Sequence, residues 1–597
     1  MNFLYKKFRE RLKFWIWDYI GIVNRSLRIA AVLVSLFTMG VIVYFYGYPQ
    51  TDKSFLFCNV VFCSSVLFYV LKYLLQAFFN IHSFRYMRKH WFQGLITFSI
   101  IVWFLLLYVF GIPNGTHLLA GSGAGAFNNI AVISVQLYFF VLIFIELSHI
   151  GYLLDKIKIG PGGLLISSFL LLISLGTFLL LLPEMSAEKI TFLDALFTST
   201  SASCVTGLSV VDIGTAFSFK GHFVIMLLMQ LGGINIICFA SFFAYFYSGA
   251  KLRYQSVVKE MLNTTLQGSR KLTREIISYT FIIEIIGFLL MLVYLSSTHI
   301  YSDSAADNVF FSAFHTISAF NNVGFSFLKE GMMTPMLLHN YYIQTIIMGL
   351  VFLGGIGFLT IHDLVTTPVR KKMRWRHLQV TTKVVLKLSG LIILISSLLF
   401  FFLEYNNMGA DSSLTDRIFK ALFASVAART SGFNTADYSL LTLSTRLIFI
   451  VLMIIGTAPG STGGGIKLTT FYILFKSAIA TILGKKQVTI SNKAISYSMV
   501  DRAYLVLLFS ISLIFIATFC LSVSDPQFSL DELIFEVSSA FGTVGLSVGV
   551  SAALSDFGKY VLIFVMYIGR ITVLTLIFSV TRRVFNRYSL ATTNIGI

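Results

Sequence analysis

The sequence predicts an all-α polytopic membrane protein. Four concatenated helix, pore-loop, helix repeats surround one pseudo-fourfold pore, and about four extra transmembrane helices precede them. Three observations lead there. Of 597 residues, 56% are hydrophobic and 12% charged, a composition that excludes an ordinary soluble domain and demands many membrane spans. A nine-residue stretch recurs four times at intervals of roughly 110 residues, the mark of internal repetition. The net charge of +19 gathers in alternate loops, as the positive-inside rule expects, and so calls for no nucleic acid as partner. The five cysteines lack ligand spacing, which argues against a disulfide framework or a zinc site.

Residues 1–28 mix Lys6, Lys7, Arg9, Arg11 and Lys13 with Phe8, Phe14, Trp15 and Trp17. This is the pattern of an amphipathic helix lying on anionic membrane lipid. Residues 29–158 hold apolar segments at about 29–48, 55–80, 92–112 and 129–154, read as an accessory bundle. The repeats follow at 159–250, 251–368, 369–485 and 486–597, the last ending in a cytoplasmic tail. Their paired spans are expected at about 162–183 and 222–248, 275–297 and 342–365, 380–403 and 445–475, and 502–523 and 558–581. Basic loops lie on the side away from the recurring stretch: Lys251 to Arg274, Arg370 to Lys383, Lys485 to Lys493, and Arg582 to Arg587. The rule therefore places both termini in the cytoplasm and the recurring stretch at the outer face of a cytoplasmic membrane.

The four copies centre on Gly207, Gly324, Gly432 and Gly545. Each carries Ala five residues before the glycine and Leu or Phe one after it; three also carry Ser six before and two after. Asp194, Asp307, Asp416 and Asp531 stand ahead of them, read as N-caps of short re-entrant helices about 15 Å long. A helix C-terminus presents partial negative charge, and four of them converging with their following carbonyls suit a bare cation. Glycine is needed where the backbone turns carbonyls to an ion through dihedrals closed to other residues. Thr543-Val544-Gly545 also matches the first half of the potassium-channel filter sequence, with Ser547 where that filter has its second glycine, so fewer carbonyl rings are expected. The candidate potassium filter is Cys204, Val205, Thr206 and Gly207; Asn321, Asn322, Val323 and Gly324; Thr430, Ser431 and Gly432; and Gly542, Thr543, Val544 and Gly545. Most of the coordination is expected from carbonyls.

Over residues 160–585 the sequence resembles the Trk/Ktr/HKT superfamily of potassium transporters. The resemblance rests on Phe314 to Ser326, Arg429-Thr430-Ser431-Gly432-Phe433-Asn434-Thr435, Pro459 to Lys467, and Gly569-Arg570. It implies potassium selectivity from glycine at all four filter positions. It also implies a homodimer with a cytosolic nucleotide-binding regulatory subunit of the TrkA/KtrA type. Asn235 departs from the pattern, standing where a further glycine is usual.

The run from Gly456 to Gly465 breaks the third inner helix at bilayer depth, because Pro459 removes a donor and each glycine costs about 1 kcal/mol in a helix. Irregular backbone there must line a cavity. We therefore read Gly460, Ser461, Thr462, Gly463, Gly464 and Gly465 as a gate, which agrees with the family's intramembrane gating loop. Lys467 is expected near the inner mouth. Arg570 interrupts an apolar run, and an intramembrane cation is a functional candidate by default. It is expected to face the pore and hold the gate, or else to meet a buried acid such as Glu284. Arg429 is expected to brace its filter from behind.

These readings add up to potassium uptake through a channel-like pore, driven by the electrochemical gradient, with potassium as the bound ion. The alternative on the same scaffold is a sodium- or proton-coupled symporter. An enzyme is not expected, since the histidines form no catalytic cluster; a non-conducting scaffold would keep the fold without the flux.

Overall fold

A computed structural model describes residues 29–79, 161–246, 266–367, 374–407, 413–485, 487–490 and 493–571, with isolated positions between 26 and 98. The amphipathic segment 1–28 except residues 26 and 27, nearly all of the segment at 92–112, the segment at 129–154, the basic stretch 251–265 and the tail lie outside the described residues. The chain divides into two compact units, Met1–Lys158 and Ile159–Ile597.

In the first unit, α1 (Ile29–Gly47) and α2 (Asp52–Phe79) are long and apolar enough to cross a bilayer. They pair through Ala31, Val66 and Tyr69, and through Val41, Cys58 and Phe62. Thr38 and Ser65 satisfy one another at 2.8 Å inside that seam, because a hydroxyl in hydrocarbon must find a partner.

Among the described residues the regular structure of the second unit is helical apart from a two-residue strand pair, Thr489–Ile490 with Lys493–Ala494. In order it contains α3 (Pro161–Leu180), α4 (Phe192–Ser203), α5 (Phe219–Phe246), α6 (Leu266–Thr298), α7 (Ala305–Phe320), α8 (Tyr341–Ile356), α9 (Phe358–Thr366) and α10 (Val380–Leu403). Then come α11 (Leu414–Thr430), α12 (Leu443–Ile454), α13 (Leu468–Ile482), α14 (Tyr497–Ser524), α15 (Leu530–Gly542) and α16 (Asp556–Ile571). The long helices α6, α10 and α14 turn Phe281, Val293, Phe402, Leu508 and Phe515 outward. Such faces cost about 25 cal/mol per Å² in water and nothing in hydrocarbon, so they are lipid-facing. Their other faces cover a core in which Phe197, Phe535, Phe541, Phe311, Phe320 and Phe423 are buried.

Three expectations need correction. The second inner span, expected unbroken over 342–365, bends by 93° between α8 and α9 at Gly357, whose φ is +83°. The predicted aspartate caps stand inside the first turn instead. Thr191, Ser304, Ser413 and Ser529 hold the cap positions. Ser413 with Asp416 and Ser529 with Glu532 form reciprocal capping boxes, the geometry that puts the acid three residues inside the helix. The re-entrant helices are also longer than 15 Å. They have 12, 16, 17 and 13 residues, which is roughly 18 to 26 Å at 1.5 Å per residue.

The first-turn acids serve as latches between neighbours. Lys559 of α16 meets Asp194 of α4 at 3.1 Å, Arg446 of α12 meets Asp531 of α15 at 2.9 Å, and the Tyr341 hydroxyl of α8 donates to Asp416 of α11 at 2.5 Å. The Lys559 and Asp194 side chains are 15% and 13% exposed. A double-mutant cycle on Lys559→Ala and Asp194→Asn should give a coupling of about 1 kcal/mol, the upper range for accessible pairs. Thermal unfolding of the detergent-solubilised protein reads it, and a coupling near zero would show that the latch contributes nothing.

Candidate functional site: a ring of four glycines

The helices α4, α7 and α15 end in one way. The backbone two residues before the central glycine takes a left-handed turn at Val205 (φ +59°), Asn322 (+60°) and Thr543 (+49°). The next N–H returns to a helical carbonyl: Thr206 to Ser201, Val323 to Ser318 and Val544 to Ser539, at 2.8, 2.8 and 2.9 Å. The serine six before the glycine adds its side chain. Ser201 Oγ accepts from Gly207 N at 3.0 Å, Ser539 Oγ accepts from Gly545 N at 3.1 Å, and Ser318 Oγ donates to Phe325 O at 2.8 Å. This is the physical reason for the recurring serine. In α11 Val426 replaces it, and Thr430 and Ser431 stay out of the left-handed region.

The four glycines meet in cyclic order. All have positive φ: +90° at Gly207, +85° at Gly324, +67° at Gly432 and +92° at Gly545. A Cβ on Gly207 would run into the carbonyl oxygen of Val323, and one on Gly324 into that of Ser431. One on Gly432 would lie 2.8 Å from that of Val544, and one on Gly545 would run into that of Thr206. Each glycine thus faces the carbonyl immediately before the next glycine, Gly432 also facing that of Val323 at 2.9 Å, and the atoms nearest each glycine are backbone. Behind the circle, Gly232, Gly354 and Gly569 of the inner helices press against the carbonyls of Ser203, Phe320 and Phe541, where a Cβ would not fit. The side chain of Asn235 lies outside the described residues.

Side-chain oxygens near the circle are mostly engaged elsewhere. The Asn322 amide and Thr430 hydroxyl lie 2.9 Å apart, and Thr543 Oγ1 accepts from Gly464 N at 2.8 Å. Asn321 donates to Gln230 at 2.9 Å and to Glu284 at 3.3 Å. Cys204, Thr206, Val323 and Val544 are fully buried. Arg429 is buried in α11, and its Nε and Nη2 have no hydrogen-bond partner among the described residues.

The break in the third inner helix lies directly against this circle. Ile454 and Ile466 close its neck, with Gly456 N donating to Ile466 O at 2.9 Å and Ile466 N to Ile454 O at 3.2 Å. Between them the chain loops out through Pro459 to Gly465. Thr462 Oγ1 approaches Phe320 O, Gly463 packs on Thr430, and Gly464 packs on Thr543. The bend after α8 supports the loop, since Phe358 N donates to Gly460 O and Ala458 N to Gly355 O, at 3.0 and 3.2 Å. Arg570 is 1% exposed and donates to the carbonyls of Thr462 and Gly232, the latter at 2.7 Å, while Glu284 takes Gln230 instead. Lys467 Nζ donates to Gly463 O at 2.6 Å. Loop, Arg570 and Lys467 therefore form one connected unit.

Reading the sequence alone missed two participants. Gly357 escaped because hydropathy runs unbroken through α8 and α9. The buried carboxylate Glu536 escaped because its partners Ser547, Val548 and Ser551 come into reach only once the chain turns back after Gly545. The one available signal was an acid close to an apolar stretch, a pattern that is functional by default in a membrane.

A polytopic helical scaffold that brings four glycine turns and their carbonyls to one place defines a membrane transport protein. Comparison with known proteins gives the family. Residues 163–586 match the TrkH family, described as cation transport protein, and the chain belongs to that family. It is 36% identical over 439 residues to the Ktr system potassium uptake protein B of Vibrio alginolyticus, covering 72% of this chain and 93% of the relative. It is also 36% identical to the protein of the same name from Bacillus subtilis (strain 168), covering 71% and 93%. The Enterococcus hirae potassium/sodium uptake protein NtpJ is 34% identical, covering 71% and 93%. The crystal structure of the potassium transporter TrkH from Vibrio parahaemolyticus superposes with a TM-score of 0.57 at 19% identity, covering 80% of this chain and 97% of that one, and so shares the fold.

Proposed function

We propose that this chain is the pore-forming subunit of a potassium uptake system in the cytoplasmic membrane. On this reading the four repeats surround one pseudo-fourfold pore, and the cation passes through the circle of Gly207, Gly324, Gly432 and Gly545. The observation that carries the reading is the cyclic order in which each of these glycines meets the carbonyl before the next. Four helix C-termini add partial negative charge at that place. A membrane potential of 100 mV, inside negative, supplies about 2.3 kcal/mol per cation, enough to drive accumulation. The loop at 456–465 closes the path below the filter, held by Arg570 and Lys467. Relatives named as parts of a Ktr system support a further subunit, which we assign to a cytosolic nucleotide-binding protein docking on the basic inner loops of a homodimer.

The test is rubidium uptake by the purified protein in liposomes under an inside-negative potential. Saturable uptake that prefers rubidium to sodium is expected; its absence would remove the reading. The name of the Enterococcus relative favours a second one, in which sodium is co-transported. Uptake that needs an inward sodium gradient at fixed potential would select it.

A further inference from the structure

Two of the four filters share a hydrogen-bond circuit that the other two lack. In the second, Leu328 N donates to Ser326 Oγ at 3.2 Å and Ser326 meets His315 Nε2 at 2.9 Å. His315 Nδ1 is fixed as the donor by Phe311 O at 3.0 Å, which leaves Nε2 to accept from the serine. In the fourth, Gly549 N donates to Ser547 Oγ at 2.9 Å and Ser547 donates to Glu536 Oε1. The positions correspond: an acceptor nine residues before the glycine, a serine two after it and an N–H four after it. In the first filter Thr198 stands at the acceptor position with no partner for its hydroxyl among the described residues, and Ser209 turns instead to Val211 O. In the third the two positions are Phe423 and Asn434. The outer rim is thus pinned on one diagonal only.

Glu536 differs from His315 in charge. It is fully buried, and its partners are donors: Ser547, Val548 N at 3.2 Å and Ser551 at 2.8 Å. An amide N–H can only donate, and a carboxylate offers acceptors alone. Among the described residues no cation meets Glu536, so the carboxylate, when ionised, is balanced by dipoles alone and acts on whatever cation stands in the filter.

We propose that Glu536 is a positioning and specificity-determining residue of the filter. Its carboxylate pins the outer end of the fourth filter through Ser547 and strengthens cation binding there by its charge. This rests on the pore reading above. Glu536→Gln keeps an acceptor oxygen for Ser547 and Val548 but removes the charge. Its KM for rubidium uptake into liposomes is expected to rise about tenfold with the maximal rate within about twofold, a split that loss of folded protein would not give. Ser547→Ala keeps the charge and removes the pin; its rubidium-over-sodium preference is expected to fall about tenfold at little-changed KM. It remains a test should Glu536→Gln fail to fold. An unchanged KM in the first variant or an unchanged preference in the second, with normal uptake by the unaltered chain, overturns the inference alone. No uptake by the unaltered chain overturns the pore reading beneath it.

Discussion

Rubidium uptake by a Gly324→Ala protein is expected to fall at least about tenfold, while the amount of folded protein in detergent changes little. At Gly324 φ is +85°, and a Cβ would run into the Ser431 carbonyl and lie 2.6 Å from the Gly432 Cα. A residue with a side chain held there stores about 1–3 kcal/mol of strain. Backbone is what it meets, so relief comes only by moving the neighbouring turn. The second and third filters would part, and the carbonyls of Val323 and Ser431 would lose their common centre. A misfit of about 1.4 kcal/mol in the bound ion is already tenfold. Uptake within twofold of the unaltered chain would mean that ions do not pass this circle.

The opposite sign is expected at Arg570. Its guanidinium holds the Thr462 and Gly232 carbonyls with 1% exposure, so on the pore reading proposed above an approaching cation would meet a fixed positive charge and a tethered loop together. Placing such a charge at bilayer depth costs about 2.5–3.5 kcal/mol on insertion scales. That cost marks the charge as placed for a purpose; separately, a barrier of about 2.8 kcal/mol raised against a passing ion would slow it about a hundredfold. Arg570→Ala should therefore raise uptake tenfold or more. If that protein does not fold, deletion of Gly463 to Gly465 asks the same question, because it shortens the loop and leaves Arg570 in place. Unchanged flux in both would dismiss the gate.

The features legible in the sequence were those that only certain backbones can make. The central glycines announced themselves because at 207, 324, 432 and 545 a positive φ and a neighbouring carbonyl together leave no place for a Cβ, and the break at 456–465 did so because no helix absorbs that run. The caps were misread because an acid two or three residues inside a helix resembles an acid at its start until the Ser or Thr before it is seen at the cap position. The bend at Gly357 was hidden by hydropathy, which continues unbroken through α8 and α9. Contacts such as Gln230 to Glu284, 54 residues apart, or Asn321 to Gln230, 91 apart, leave no local pattern at all. They depend on which helices become neighbours, and periodicity does not encode that.

The latch between Asp194 and Lys559 spans 365 residues of chain. A ribosome must therefore finish nearly the whole polypeptide before the first filter can gain its last neighbour. During synthesis the membrane holds only an open arc, and on the pore reading proposed above an unfinished chain has no complete shell of carbonyls to offer an ion.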